Sequence, residues 1–147
     1  MVSVVVVTYQ HVDYIEKCIE GVLMQKTDFS VELLIGEDES SDGTREICMQ
    51  YAAEYPDRIQ LFLRSRKDAV NALGEPSGRP NLLSTLGAAR GKYIALCEGD
   101  DYWTDPRETD PLMNSYAAAG IPAGVAGNIR FAPHGNNAAF FARYFQH

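Results

Sequence analysis

The chain lacks several features that would each assign it to a broad class of proteins. Its 147 residues include 13 lysines and arginines against 20 acidic residues, which gives a formal net charge of -7. A protein that binds a nucleic-acid backbone needs a basic face, so nucleic acid is not expected as a partner. The apolar run at residues 2–7 is too short to span a membrane and has no basic leader before it, so we expect neither a span nor a signal peptide there.

Cysteine is scarce, and the glycine-rich motifs that bind phosphate are missing. The three cysteines, Cys18, Cys48 and Cys97, are far apart in apolar surroundings and match no zinc pattern. An odd number of this kind predicts reduced core thiols and a cytoplasmic location. No G-x-G-x-x-G follows the first apolar run, and no G-x-x-x-x-G-K-[ST] occurs anywhere. A bound phosphate would therefore need another partner, such as a metal ion held by carboxylates.

Short, continuous apolar runs alternate with segments whose apolar residues recur at helical spacing along the first two thirds of the chain. Buried parallel strands are predicted at residues 2–7, 31–36, 59–63 and 93–97, because these runs are short, apolar and mostly β-branched. Helical stripes lie between them; Asp13 and Glu16 match a capping box, and Pro80 suits the first turn of the third helix. This order predicts an α/β fold, a Rossmann-like three-layer αβα sandwich with a mainly parallel sheet.

The character of the chain changes after Pro106. Residues 1–106 read as one domain, whereas residues 107–147 form a tail rich in Ala, Gly, Pro and Asn, in which only a short helix at 138–145 is suggested. Two explanations remain open for this tail. The chain is either a fragment with a divergent or frame-shifted end, which we favour, or a true short variant.

Polar residues follow three of the predicted strands at the point where each strand ends. The carboxyl ends of parallel strands share one edge of a sheet, so these residues should converge on a ligand site. An aromatic ring there can stack on a base, a lone carboxylate can accept a base N–H, and a carboxylate pair can hold a ribose hydroxyl and a hard divalent cation. Packed aromatics, turn-forming residues and a solvated acidic turn are the alternatives. The candidate residues are Thr8, Tyr9, Glu37, Asp38, Asp100 and Asp101.

Three segments together resemble the family 2 glycosyltransferases of the GT-A fold. They are residues 4–9 (VVVVTY), 37–44 (EDESSDGT) and 91–103 (GKYIALCEGDDYW), and the resemblance covers the chain to about residue 106. The resemblance implies a nucleotide pocket that includes Thr8, Tyr9 and Glu37, the last standing where Asp is more usual. It also implies that Asp38 reads the base, commonly uracil, and that Asp100 belongs to the ribose or metal shell.

The resemblance further implies the chemistry of the site. Asp101 resembles the direct ligand of Mn²⁺ or Mg²⁺, which would neutralise the leaving diphosphate. The partners would be a nucleotide-diphospho-sugar donor and a glycan or lipid-linked acceptor of the bacterial cell surface. The chain would act in the cytoplasm, or at the inner face of the plasma membrane through a partner chain. A basic loop residue such as Arg79 is a candidate phosphate contact.

The catalytic base of the inverting mechanism cannot be assigned, because the matching motifs stop near Pro106 and the base normally lies further along the chain. A non-catalytic nucleotide-sugar-binding relic is therefore the main alternative. A nucleotidyltransferase-like enzyme is disfavoured, since its glycine-rich basic phosphate loop near the first strand is absent.

Overall fold

A computed structural model describes residues 1–67, Val70, Gly74, residues 77–107 and the backbone of residues 140–142. The elements of this part of the chain alternate as predicted. In chain order they are β1 (Val2–Thr8), α1 (Ile15–Leu23), β2 (Val31–Glu37), α2 (Thr44–Glu54), β3 (Ile59–Leu63), α3 (Arg79–Leu86), β4 (Tyr93–Glu98) and β5 (Phe140–Ala142). None of the helices described is long and apolar enough to cross a membrane.

The strands form one sheet in the order β3-β2-β1-β4-β5. The first four are parallel, with β1 paired to β2 on one side and to β4 on the other. The chain therefore builds outward from β1 to β3 and then crosses back to place β4 on the opposite side of β1. In open α/β sheets such a reversal leaves a crevice beyond the carboxyl ends of the strands, where ligands bind.

The sheet is buried on both faces, as the β-branched run of β1 predicts. Val4 and Val6 pack against α1 and α2, whereas Val5 points to the opposite face and packs near α3. All three are at most 1% exposed, and each such side chain contributes about 1.5–3 kcal/mol on burial. Helices on both faces confirm the three-layer α/β prediction.

Two local predictions are wrong. The capping box at Asp13 does not form: α1 begins after Tyr14 without a side-chain cap, and the His11 carbonyl instead accepts the N–H groups of Tyr14 and Ile15. The helix suggested at 138–145 is contradicted over Phe140–Ala142, which pairs antiparallel with β4. The open edge of β4 offers a ladder of backbone partners, and aromatic residues suit a strand. The remainder of 138–145 lies outside the described residues.

An ionic cluster around the buried carboxylate of Glu32 ties the sheet together near the amino ends of the strands. Glu32 on β2 accepts hydrogen bonds from the hydroxyl of Ser3 at 2.6 Å and from the Arg90 guanidinium at 2.6 and 2.9 Å. The Ser3 hydroxyl in turn accepts the Gly91 N–H at 2.7 Å. Burial disfavours the ionised carboxylate, but the bonds from Ser3 and Arg90 outweigh it and lower the pKa of Glu32. This cluster joins β1, β2 and the segment that leads into β4.

The segment after β4 folds back along α1. The Gln25 side chain donates to the Asp105 carbonyl, and the Lys26 N–H donates to the Pro106 carbonyl, both at 2.8 Å. Trp103 is 2% exposed, and its backbone approaches Gly21 so closely that a Cβ at position 21 would lie 2.7 Å from the Trp103 carbonyl oxygen. The domain boundary at residue 106 stays a prediction.

Candidate functional site

A pocket of about 480 Å³ lies beyond the carboxyl ends of β1, β2 and β4, at the reversal of strand order. Its walls come from these strand ends, the segment after β3 and the first turn of α3. The lining residues are Val7, Thr8, Tyr9, His11, Asp38, Arg66, Gly78, Arg79, Asn81, Leu82 and Glu98. Three predicted site residues, Thr8, Tyr9 and Asp38, therefore meet in one cavity.

The ends of β1 and β2 are joined where they enter this pocket. Asp38 donates its backbone N–H to the Thr8 carbonyl at 3.1 Å. Thr8 is buried, and its hydroxyl lies 3.2 Å from Nδ1 of His11. Tyr9, the next residue, is 39% exposed, which leaves part of its ring accessible to a ligand.

Asp38 is a buried carboxylate with an open hydrogen-bonding position. The residue is 2% exposed, and its Oδ1 has no hydrogen-bond partner among the described residues. Oδ2 lies 3.4 Å from Nη1 of Arg66, a long and weak contact. Burial raises the pKa of Asp38, and the neighbouring charge of Glu37 adds to the rise, while Arg66 and Arg64 oppose it. A buried acceptor without a partner costs stability, so the site favours a ligand that donates a hydrogen bond.

Glu37 does not line the pocket. It is completely buried, with Oε1 accepting the Ser40 N–H at 2.7 Å and Oε2 paired with Arg45. Both carboxylate oxygens are thus used inside the turn between β2 and α2. Glu37 positions Asp38 through the shared backbone, and the structure gives it no direct path to a ligand.

The turns after β1 and β2 are cross-linked, so the pocket wall is held by long-range contacts. The backbone N–H of Gln10 donates to the Ser40 hydroxyl, and that of His11 donates to the Thr44 hydroxyl, both at 2.9 Å. Asp42 accepts the Thr44 and Val12 N–H groups at 3.0 Å. Asp42 therefore holds the first N–H group of α2 from the position before the N-cap residue, Gly43, which has no side chain to cap the helix.

Asp100 and Asp101 lie beside the pocket in the turn after β4. The Gly99 N–H donates to the Val7 carbonyl at 3.0 Å, and a Cβ at Gly99 would collide with the side chains of Thr8 and His11. Burial raises the pKa of Asp101, the charge of Asp100 raises it further, and nearby His11 opposes the rise. Asp100 is exposed and Asp101 is half-buried. Neither forms an ion pair with any described residue.

Several lining residues were missed or misjudged from the sequence. His11 was not among the candidate residues, but it is half-buried between Thr8 and the Gly99 turn. Arg66 was covered only by the general expectation of a basic loop residue; it lies in the pocket, as does Arg79. Asn81 was not predicted at all. In the sequence, only the spacing of the polar residues along the predicted third helix could have indicated Asn81.

A larger groove, about 690 Å³, runs over α1 and α2 and is lined by Tyr51, Tyr55 and Trp103 among others. It lies away from the strand ends and includes none of the predicted nucleotide or metal residues. Trp103 contributes to this groove and not to the pocket at the strand ends. The smaller pocket remains the candidate site because it contains the unpartnered carboxylate oxygen of Asp38.

Comparison with known proteins gives a consistent family. The family model described as "Glycosyl transferase family 2" matches residues 3–140. An uncharacterised protein of Mycobacterium tuberculosis is 43% identical over 104 residues, which cover 71% of this chain and 28% of the relative. The putative teichuronic acid biosynthesis glycosyltransferase TuaG of Bacillus subtilis is 34% identical over 104 residues, or 70% of this chain and 37% of that protein. The chain thus spans about 28–37% of the length of these relatives.

Solved structures match the fold over almost the whole chain. The mannosyltransferase PcManGT from Pyrobaculum calidifontis, in complex with GDP-Man and Mn²⁺, has a TM-score of 0.69 at 19% identity and covers 97% of this chain and 44% of its own. TarS of S. aureus in complex with UDP has a TM-score of 0.59 at 19% identity and covers 90% and 38%. The fold is therefore the GT-A type that the motifs implied.

Proposed function

Because the chain belongs to glycosyl transferase family 2, we propose that it forms the donor-binding part of an enzyme that transfers a sugar from a nucleoside diphosphate to an acceptor. The unpartnered Oδ1 of Asp38 carries this proposal. A base ring stacked on Tyr9 would place a ring N–H within reach of that oxygen. The stack and the hydrogen bond together would fix the base at the crevice where α/β sheets bind nucleotides.

The geometry of Asp38 favours uracil as the base. Oδ1 is the oxygen of the Asp38 carboxylate that has no hydrogen-bond partner among the described residues, and a single N–H would satisfy it. The imide edge of uracil offers a single N–H between two carbonyl groups, whereas guanine offers two N–H groups that would need both oxygens. TarS has been solved with UDP and PcManGT with GDP-Man, so both nucleotides belong in the test.

We propose that Asp101 binds Mn²⁺ or Mg²⁺ directly and that Asp100 contacts the ribose or the metal's water shell. Two adjacent carboxylates without a cationic partner among the described residues form a donor set that suits a hard divalent cation. No group of three or more candidate ligands occurs in the described part of the chain, so diphosphate oxygens would complete the coordination. The ion, when bound, would stabilise the charge of the leaving diphosphate.

For the acceptor and the cellular location, we propose only a general class. The acceptor would be a surface glycan or its lipid-linked precursor, in keeping with the printed name of TuaG. A cytoplasmic location would be in keeping with the three free thiols, Cys18, Cys48 and Cys97, all of which are buried. Inversion at the sugar would need a base that reaches the acceptor hydroxyl, and we assign none.

The test is calorimetric titration of UDP and of GDP, each with and without Mn²⁺. Asp38→Asn should weaken UDP binding about tenfold or more, because the variant loses a charged acceptor for the base. Asp101→Asn should remove the dependence on Mn²⁺ while leaving metal-free binding nearly unchanged. Asp57→Asn, the same change at an exposed site in the turn before β3, is the matched control.

The two variants separate the two parts of the proposal. A folded native chain that binds neither nucleotide would refute the donor site. If Asp38→Asn binds UDP as tightly as the native chain, the base does not bind at Asp38. If the native chain binds GDP more tightly than UDP, the assignment of uracil is overturned. Mn²⁺ dependence that persists in Asp101→Asn would refute the metal assignment alone.

A further inference from the structure

Arg66 contacts both groups that the proposed function assigns to the base. Its guanidinium carbon lies 4.0 Å from the centroid of the Tyr9 ring, and its Nη1 lies 3.4 Å from Oδ2 of Asp38. A guanidinium is planar, stacks on aromatic rings and donates hydrogen bonds to carboxylates. It therefore reproduces the two interactions, stacking and N–H donation, by which a base would be recognised here.

We infer that Arg66 is an internal stand-in for the base, which the nucleotide displaces from Tyr9 and Asp38 when it binds. This rests on the proposed function, because the base must use the same ring and the same carboxylate. The guanidinium covers one face of Tyr9 inside a pocket of about 480 Å³. A base stacked on that face and the Arg66 side chain cannot both be present.

The backbone of Arg66 is fixed, so the exchange is confined to the side chain. Its N–H donates to Oε2 of Glu39 at 2.7 Å, and the same oxygen accepts the Ser65 hydroxyl at 3.1 Å. The Arg64 N–H donates to the Glu37 carbonyl at 2.7 Å, and the Arg64 carbonyl accepts Nη2 of Arg45 at 2.7 Å. The Cα of Arg66 therefore stays in place, and the side chain can return to the pocket when the nucleotide leaves.

The side chain itself is weakly held. It is 30% exposed, and its contact with Asp38 is at the long limit of a hydrogen bond. Rotamer changes of partly exposed side chains take place in picoseconds to nanoseconds. Movement of the Arg66 side chain out of the pocket would therefore not be a slow step in nucleotide binding. It would, however, lower the fraction of molecules whose pocket is free to bind a nucleotide at any moment.

The experiment compares UDP binding to the native chain, Arg66→Met and Lys67→Met. Methionine keeps much of the length of the side chain but lacks its charge and donors. Lys67→Met removes the same charge from an exposed neighbour that does not line the pocket. Arg66→Met should bind UDP about five- to tenfold more tightly, mainly through a faster association rate. Lys67→Met should stay within about twofold of the native chain, since charges at the surface are screened.

A second measurement follows the guanidinium directly. In NMR spectra, the ring current of Tyr9 should shift the side-chain protons of Arg66 upfield. Saturation with uridine, which lacks phosphates, should return them to ordinary positions, as should Tyr9→Leu without any nucleoside. Protons that stay upfield in saturating uridine would overturn the inference, because base and guanidinium would then share the site.

The outcomes distinguish this inference from the proposed function. If the native chain binds UDP and Arg66→Met binds it equally or more weakly, Arg66 is not a competitor, and the inference alone is overturned. If neither protein binds UDP, the proposed function is lost and the inference with it. Tighter binding by Arg66→Met with released protons in uridine supports both.

Discussion

The contact between Gly36 and α3 offers a sharp test of how the pocket is built. Gly36 lies on β2, one residue before Glu37, and its carbonyl accepts Nδ2 of Asn81 at 2.9 Å. A Cβ at position 36 would overlap the side chains of Asn81 and Thr85, which are 4% and 0% exposed. Gly36→Ala therefore forces α3 away from the sheet, and the pocket residues Arg79 and Asn81 move with it.

The expected cost follows from this overlap. Overpacking a filled core costs about 1–3 kcal/mol, and a lost hydrogen bond from Asn81 adds roughly 1 kcal/mol. Gly36→Ala should therefore lower the free energy of unfolding by about 2–4 kcal/mol, measured by urea denaturation. Gly78→Ala is the matched control, because its backbone is already helical and a Cβ there meets nothing within 4 Å.

A double-mutant cycle checks the mechanism. Asn81→Ala removes the side-chain amide that a Cβ at Gly36 would overlap. The double variant should be less destabilised than the sum of the two single changes, because the second change creates the space that the first needs. Additive effects, or a Gly36→Ala chain as stable as Gly78→Ala, would refute the packing described between β2 and α3.

Three further predictions concern charge and the acidic turn. Glu32→Gln should destabilise the chain at pH values above the ordinary glutamate pKa. The lowered pKa of Glu32 stabilises the native chain in that range, and this stabilisation is lost as the pH falls through the lowered pKa. Urea denaturation at a series of pH values should show this pH dependence in the native chain and not in the variant. UDP affinity without metal should fall on acidification with a midpoint above the usual aspartate range, because burial raises the pKa of Asp38 and the ionised form accepts the base N–H more strongly than the protonated form. Calorimetry on Asp38→Asn should lack this midpoint. Gly99→Ala should weaken Mn²⁺-dependent UDP binding more than metal-free binding, since the new methyl group displaces the acidic turn from Thr8; equal losses would place the turn away from the metal.

The sequence was sufficient for the four parallel strands and for the convergence of three candidate residues, because both follow from local patterns. Short β-branched runs separated by helical stripes lead to parallel strands, and parallel strands bring their carboxyl ends together. Thr8, Tyr9 and Asp38 were therefore predicted to converge, and the structure places them around one pocket.

What the sequence could not supply depends on contacts between distant residues. Glu37 and Asp38 are neighbours of the same charge, and contacts with Arg45 and with the Ser40 N–H hold Glu37 inward while Asp38 faces the pocket. Arg66 reaches Tyr9 because Glu39 holds its backbone, with Glu39 itself at φ 60°. The capping box failed for a similar reason: the His11 carbonyl accepts the N–H groups of Tyr14 and Ile15, and the helix begins after Tyr14, so Asp13 does not occupy the N-cap position.

The central place of β1 also has a consequence for the order in which the chain acquires its structure. Val2 pairs with Val31 on one side but with Tyr93 on the other. The second pairing joins residues far apart in sequence, and such contacts slow folding because a long loop must close first. During synthesis, one edge of β1 stays without a partner until β4 has been made. The crevice beyond β1 and β4 is thus completed late, and stalled or shortened chains that end before β4 would expose an apolar strand edge prone to association.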